Sequence, residues 1–279
     1  MVVSMMRRII RLLTVISIFI KVSSATTQDN VDFEAIPGNV EDGGWYSALG
    51  RPVDRSGPSV NRIGSGGANQ FKFTLPESAT LPDTSTAAKF RLLTQLSALL
   101  DGYGHTTIRL SSANSYSYAK RDVTFHEYCK KHTHAQKLDS LGNETFYFFG
   151  DNNHEEWEDL LTLYNIPNYF LPKHHPALSF GLAGAGSGVP FHYHGPGFAE
   201  TLWGRKRWFM YPPNSIPQFH PNRTTLQWLL EDYEKLKNDP KLTECTLGPG
   251  DIIYFPDKWW HATLNIDKSV FISTFLSPL

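Results

Sequence analysis

The sequence is poor in several features that mark common protein classes. It contains only two cysteines, Cys129 and Cys245, in 279 residues. A disulfide framework is therefore excluded, and stability must come from a hydrophobic core. The two thiols could pair with each other or be buried separately, and the sequence leaves both arrangements open. Beyond the N-terminus, the chain also lacks any apolar run near the roughly 20 residues that a membrane-spanning helix requires.

The N-terminus has the pattern of a secretory signal peptide over residues 1–25. Three arginines precede an uncharged apolar run of nine residues, Leu12 to Ile20, and small residues follow at Ser23-Ser24-Ala25. Lys21 interrupts the boundary of the run, so an uncleaved signal anchor is the alternative. Cleavage would leave a chain without a membrane span, in a lumen or outside the cell.

An excess of positive charge is also missing once this leader is removed. The whole chain has 26 basic and 27 acidic residues, and residues 1–25 contain four of the basic residues and no acidic one. The mature chain would therefore carry 22 basic against 27 acidic residues, a net charge of −5. Nucleic acid is not expected as a partner, because it requires a basic surface. Two glycosylation sequons, at Asn143 and Asn222, fit a secretory compartment.

The remaining chain divides into two parts by composition. Residues 26–80 are rich in Gly, Ser, Pro and Asn without an apolar period, which predicts a poorly ordered segment. Residues 81–279 form the predicted domain, with its barrel core at about 144–276. Helical patterns are followed by six short β-rich segments: LSFGLAG, VPFHYH, FAETLW, RWFMYP, IIYFP and VFISTFL. These indicate a mainly β fold, an antiparallel barrel or jelly roll with flanking α-helices.

The segment SGVPFHYH contains the first candidate metal ligands, His192 and His194. Residues two apart on a strand share one face, so both imidazoles should point to the same side. Buried imidazoles need partners for their nitrogens, and a metal ion is a common one. His261, in the segment WWHA, is the third candidate. The alternative is a set of hydrogen-bonded core histidines in a barrel without metal.

The spacing around these histidines approximates the two metal motifs of cupins. The first motif includes Gly186, the His192-x-His194 pair, Glu200 and Gly204. The second runs from Gly250 through Pro256 and His261 to Asn265, with Lys258 where glycine is usual. Both motifs in this order, about 60 residues apart, predict a double-stranded β-helix.

Two longer stretches carry a more specific resemblance. GRKRWFMYPP, beginning at Gly204, and GDIIYFPDKWWHATLNID, beginning at Gly250, resemble the JmjC-type 2-oxoglutarate oxygenases. The resemblance extends over residues 106–276 and is weak across residues 44–76. It implies Fe(II) or another divalent metal and 2-oxoglutarate as cofactors, a protein substrate or protein partner, and residence in the lumen of the endoplasmic reticulum.

The resemblance also assigns roles to individual residues. His192 and His261 match two ligands of the metal, and Lys206 matches the lysine that pairs with the far carboxylate of 2-oxoglutarate. Thr274 falls near a polar position on the cosubstrate side. His194 departs from the pattern, because it stands where the family has a carboxylate ligand.

The departure at His194 changes the charge of the predicted metal site. Two histidines and one carboxylate leave a net charge of +1 around a divalent ion, whereas three neutral histidines leave +2 and make iron harder to oxidise. A site of three histidines can still bind Fe, Zn, Mn or Ni. Glu200 could restore a carboxylate as a fourth ligand, or it could be an ordinary acid at a strand edge.

Two classes of function therefore compete. The first is a lumenal Fe(II)/2-oxoglutarate-dependent hydroxylase that acts on a protein side chain. The second is a pseudo-oxygenase that keeps the barrel as a platform for protein interaction or signalling. The retained His192, His261 and Lys206 favour the first class, and His194 favours the second.

Overall fold

The computed structural model describes residues 84–150, 152–166 and 173–279. The predicted signal peptide and the predicted poorly ordered segment at 26–80 lie outside these residues. Within them, no helix is both long enough and apolar enough to cross a bilayer. The helices are α1 (Thr84–Leu93), α2 (Leu96–Tyr103), α3 (Phe125–Lys131), α4 (His154–Leu161), α5 (Thr225–Glu231) and α6 (Tyr233–Leu236).

The strands form three antiparallel sheets. They are β1 (Thr107–Ser112), β2 (Lys120–Thr124), β3 (Phe146–Tyr147), β4 (His174–Ala183), β5 (Gly197–Trp203), β6 (Lys206–Tyr211), β7 (Thr243–Leu247), β8 (Ile252–Phe255), β9 (Trp260–Asn265) and β10 (Ser269–Pro278). The major sheet has the order β4-β10-β5-β8, the minor sheet β7-β6-β9, and a small sheet β2-β1-β3 precedes them. The mainly β, cupin-like fold predicted from the two motifs is confirmed.

Side-chain alternation divides each barrel sheet into two faces. On β10, Val270 and Ile272 pack into a core with the N-terminal helices and small sheet, whereas Phe271 faces the interior between the two sheets. On β9, Ala262 and Leu264 pack against α5 in a second core. The site lies between the inward faces of the major and minor sheets.

The helices follow the predicted apolar stripes, with local corrections. Thr124, Asn153 and Thr224 cap α3, α4 and α5 through their side chains. The helical segment at residues 84–103 is broken at Thr94 and Gln95 into α1 and α2; Leu99 is fully buried, while Leu93 is 38% exposed.

The helical insert over residues 225–236 is also divided in two, into α5 and α6. Within the two barrel sheets, strands β7 and β9 went unpredicted, and β9 is the one that carries His261. Cys129 and Cys245 form no disulfide in the part of the chain that the structure describes, so of the two arrangements left open the separate thiols are the one observed.

Candidate metal centre

The HxH segment lies along the edge of β9 without forming a regular strand. One isolated bridge joins His192 to His261, with the two backbone amides donating to the opposite carbonyls at 3.1 and 2.8 Å. Pro190 has no N–H to donate, which limits the pairing of this edge. Gly188 is needed for the approach, because a Cβ at that position would lie 1.8 Å from the carbonyl oxygen of Thr263. The predicted strand is therefore an irregular edge, although its two histidines still converge.

A left-handed residue after β8 fixes the end of this segment. Lys258 has φ of 60°, and its backbone amide donates to the carbonyl of His194 at 2.9 Å. This is the position where the cupin pattern has glycine, and the left-handed backbone explains that preference. The turn thereby places His194 beside β9, where His261 lies.

The protonation of all three imidazoles is set by backbone carbonyls. The Nδ1 atoms of His192, His194 and His261 lie 2.8, 2.8 and 2.9 Å from the carbonyl oxygens of Pro190, Gly195 and Trp259. A carbonyl oxygen only accepts, so each Nδ1 must carry the proton. Each neutral ring then presents the lone pair of Nε2, which is the form that binds a metal.

The three free nitrogens converge. One ligand atom from each of the three histidines lies within 4.8 Å of the others, and the Nε2 atoms of His194 and His261 are 3.1 Å apart. Two lone pairs at that distance repel unless a proton or a cation lies between them. Ligand bonds of about 2.0–2.1 Å would place two nitrogens roughly 3 Å apart around one ion, so the donor set fits a divalent metal.

Burial keeps these rings neutral. It lowers the pKa of His192 from 6.5 to about 4, and it also lowers the pKa of His194. Burial, followed by the neighbouring His192, lowers the pKa of His261 well below its ordinary value. A neutral cluster can bind a metal without first losing protons near pH 7.

A cavity of about 40 Å³ extends from the histidines into the barrel. Besides the three histidines, its walls are mainly aromatic and apolar, and its other polar side chains lie on the inner strands. These polar residues are Lys206, Thr263, Asn265 and Ser273, together with the ring edges of Tyr147 and Trp208. Among the described residues, the cavity lining contains no aspartate or glutamate.

Lys206 lies in this cavity without a counter-charge. Its side chain is 6% exposed, and its Nζ rests 3.2 Å from the centroid of the Phe271 ring. No salt bridge or hydrogen bond to Nζ is present among the described residues. Burial lowers the pKa of Lys206 from 10.5 to about 7. Its side chain therefore points into the barrel interior, on the same side as the histidines.

Thr274 requires a correction. Its neighbours Ser273 and Phe275 line the cavity, while Thr274 is on the opposite face of β10. Because successive strand residues face opposite sides, the polar side chain that β10 contributes to the cavity is Ser273. Sequence reasoning missed Ser273, although the alternation of Phe271 and Phe275 with polar residues could have indicated it.

Glu200 is on that same opposite face and does not join the histidines. Its Oε2 accepts a hydrogen bond of 3.0 Å from the Tyr164 hydroxyl under the helical layer. Burial raises the pKa of this carboxyl. The candidate metal cluster comprises the three histidines, and the role of fourth ligand considered for Glu200 is not met by its geometry.

Comparisons with known proteins agree with this architecture. Residues 97–275 match the family described as Cupin-like domain. JmjC domain-containing protein 8 of Homo sapiens is 52% identical over 207 residues, covering 74% of this chain and 78% of the human protein. Lysine-specific demethylase JMJ21 of Arabidopsis thaliana is 29% identical over 219 residues, covering 69% of this chain and 22% of that protein.

A solved structure is similar at a greater distance. The ribosomal oxygenase YcfD from Escherichia coli, in complex with cobalt and 2-oxoglutarate, aligns with a TM-score of 0.36 and 18% sequence identity. The alignment covers 71% of this chain and 45% of that chain. The chain therefore spans less than half the length of this solved neighbour.

Proposed function

The chain belongs to the cupin-like JmjC domain family, and we propose that it is a metal- and 2-oxoglutarate-dependent hydroxylase of protein side chains in the lumen of the endoplasmic reticulum. One observation carries the proposal. A single cavity has three converging Nε2 lone pairs at one end and an unpaired buried lysine further in. Neither feature stabilises the fold by itself, and both are explained by a metal and an anionic ligand.

His192, His194 and His261 hold the metal in this proposal. Their backbone carbonyl partners fix the rings, so little reorganisation is needed on binding. Bound Fe(II) with 2-oxoglutarate would activate dioxygen, which is the oxidant that hydroxylation requires. The apolar rings of the cavity exclude water and keep the polar groups in a medium of low dielectric constant.

Lys206 binds the far carboxylate of 2-oxoglutarate. A carboxylate next to Nζ favours the charged ammonium, so the ligand would restore the proton that burial makes easy to lose. The cavity of about 40 Å³ has room for only a few water molecules. Binding of 2-oxoglutarate would therefore require side chains that line the cavity to rearrange.

The third histidine makes the site more positive than that of the wider family. A divalent ion with three neutral ligands has a charge of +2, and a protonated Lys206 adds one more. A dianion such as 2-oxoglutarate compensates most of this charge. The same excess opposes oxidation of iron, so binding of 2-oxoglutarate should be favoured more than turnover.

That electrostatic balance supports a second candidate function. A pseudo-oxygenase would retain the metal and 2-oxoglutarate as structural ligands and act through protein interaction. The observation that favours it is the cavity lining, which has no carboxylate among the described residues. The two candidates share one site and differ in catalysis.

The proposed lumenal compartment and the proposed protein substrate are supported by features outside the cavity. The leader at 1–25 and the exposed sequon residues Asn143 and Asn222 support a lumenal location. Protection of a glycosylated chain from protease in intact microsomes would test it, and a cytosol-accessible, unglycosylated chain would contradict it. The lysine-specific name of the Arabidopsis relative supports a protein side chain as substrate.

Uncoupled conversion of 2-oxoglutarate to succinate tests catalysis without knowledge of the substrate. Turnover by the wild type with Fe(II), lost in His194→Ala, would establish the hydroxylase class. Turnover only in His194→Asp would establish a pseudo-oxygenase with an intact pocket, because the restored carboxylate stabilises oxidised iron. Absence of both metal and 2-oxoglutarate binding would contradict both candidates.

A further inference from the structure

The tryptophans of the barrel differ in how their indole N–H groups are satisfied. Trp203 donates to Arg91 O and Thr94 Oγ1 at 3.2 and 3.1 Å, and Trp228 donates to Gln218 O at 2.9 Å. Trp208 is 4% exposed, and its Nε1 is buried without a hydrogen-bond partner among the described residues. A buried indole N–H normally has an acceptor, so this one is an exception that needs an explanation.

The position of Trp208 supplies that explanation. Its ring lines the cavity between the two ends of the site, 5.8 Å from the His261 ring and 5.9 Å from Lys206 Nζ. It packs almost parallel to Phe255, at 14°, which holds the plane of the indole. A ligand that reaches from the metal to Lys206 must pass along this ring.

A polar acceptor in the same cavity is unsatisfied as well. Asn265 donates through Nδ2 to the carbonyl of Ser187 at 2.9 Å, which fixes the amide orientation and leaves Oδ1 buried without a partner among the described residues. Asn265 is the cross-strand partner of Lys206. An unsatisfied donor and an unsatisfied acceptor in one small cavity indicate that its occupant is polar.

We propose that the indole N–H of Trp208 is a second ligand-binding donor of this cavity, which acts together with Lys206 on the oxygen atoms of an anionic cosubstrate. The inference rests on the proposed function, since it takes the 2-oxoglutarate class as ligand. The N–H belongs to a ring that lines the cavity and makes no hydrogen bond within the described part of the chain, so a ligand oxygen could accept from it without breaking an existing interaction. Burial of this N–H without an acceptor costs free energy in the ligand-free protein. That free energy is recovered when a ligand oxygen accepts a hydrogen bond from it.

Calorimetric titration of 2-oxoglutarate into the Zn(II)-loaded protein without oxygen tests the proposal. Trp208→Phe keeps an aromatic ring and removes the donor, and it should weaken binding by about tenfold or more, the value of one hydrogen bond to a charged group. Trp228→Phe is the matched control, because its indole donates to Gln218 in a different core. That control should bind with unchanged affinity.

The outcomes separate this inference from the function on which it rests. Unchanged affinity in Trp208→Phe, with binding by the wild type, would overturn the role of Trp208 and leave the proposed function intact. No binding by the Zn(II)-loaded wild type would overturn both. Equal weakening in the two variants would reveal a general loss of packing and would also contradict the proposal.

Nuclear magnetic resonance provides a second measurement on the unaltered chain, which protects the test against a Trp208→Phe variant that fails to fold. The sequence has seven tryptophans and hence seven indole N–H signals. We expect 2-oxoglutarate to shift the Trp208 signal downfield and to slow its exchange with solvent, while the Trp228 signal stays in place. An unmoved Trp208 signal at saturating ligand would contradict the proposal.

Discussion

Lys206 and Arg207 are neighbours on β6 that bury their cationic groups on opposite faces of the minor sheet. Arg207 is 1% exposed and donates to Glu244 Oε2 at 2.8 Å. Its guanidinium lies 4.7 and 4.8 Å from the ring centroids of Phe209 and Tyr233, and Tyr233 also donates to Glu244. The chain itself thus supplies a carboxylate and two aromatic faces for this cation.

Among the residues that the structure describes, Lys206 has no carboxylate partner such as Glu244 provides for Arg207. It has the face of Phe271 and a small cavity that leads to three neutral histidines. A buried charge that the chain compensates belongs to the fold, whereas one that it leaves uncompensated indicates a ligand. The two faces of one strand thereby separate the structural half of the barrel from its proposed binding half.

Removal of the carboxylate on the structural face should give the largest loss of stability. We expect Glu244→Gln to lower the free energy of unfolding by about 3 kcal/mol, because the buried Arg207 loses its charged partner. Urea denaturation measures the change. Glu231→Gln is the matched control, since Glu231 pairs with Arg223 where both side chains are about half exposed. Its loss should stay below about 1 kcal/mol, and equal losses would contradict the comparison.

A change in the histidine cluster should affect stability only when metal is present. We expect His261→Ala to reduce bound metal well below one ion per chain. At metal concentrations a hundredfold above the dissociation constant, the wild type should gain about 2.7 kcal/mol of stability that the variant lacks. Metal analysis and thermal unfolding with and without chelator provide the test. The exposed His154→Ala is the control, and a chelator effect equal in wild type and His261→Ala would contradict the assignment.

Removal of the uncompensated Lys206 cation should raise the free energy of unfolding, whereas removal of the Glu244 carboxylate should lower it. We expect Lys206→Met to raise the free energy of unfolding by about 1–3 kcal/mol near pH 6 in the absence of ligand, because a buried unsatisfied charge is removed. The exposed Lys235→Met should change it little. A clear loss of stability in Lys206→Met would show that Lys206 serves the fold.

The gain from Lys206→Met should also depend on pH in a defined direction. The pKa of Lys206 is about 7 in the folded chain against an ordinary value of 10.5. Below pH 7 the lysine is charged in both states, so the native state carries the full penalty. Between pH 7 and 10.5 the unfolded chain binds the extra proton, and stability of the wild type rises with pH. The difference between wild type and variant should therefore shrink towards pH 10.

The smallest effect is expected at Glu200, the acid on the helical face of the major sheet. Its amide replacement can still accept from Tyr164, so Glu200→Gln should leave metal content unchanged and alter stability by less than about 1 kcal/mol. Burial raises the pKa of Glu200, so its charged form costs stability at neutral pH and the cost disappears in acid. Loss of metal in this variant would restore Glu200 as a candidate ligand.

The sequence predicted the barrel and the histidine cluster because both depend on spacing that the chain preserves. His192, His194 and His261 converge as expected, even though the HxH segment is an irregular edge. The strand β9 was not predicted, because its sequence WHATLN follows directly on a turn. The left-handed backbone of Lys258 shows that the pattern of the cupin motif persists without its glycine.

The sequence-based predictions were wrong where a difference of one residue decides which face of a strand a side chain occupies. Thr274 was placed towards the cosubstrate, whereas Ser273 lines the cavity, because a shift by one residue turns every side chain of a strand over. The same alternation moves Glu200 away from the metal. The unpaired N–H of Trp208 could not be inferred from sequence at all, because it depends on which acceptors surround a buried ring.

The central claim is that one cavity holds a divalent metal on its histidines and an anionic ligand on Lys206. The most direct test is a calorimetric titration of 2-oxoglutarate into the wild type with Zn(II), into the same protein after chelation, and into Lys206→Met with Zn(II). The account predicts one ligand per chain in the first titration and severely weakened binding in the other two. Absence of binding to the metal-loaded wild type, or equal affinity in Lys206→Met, would contradict it.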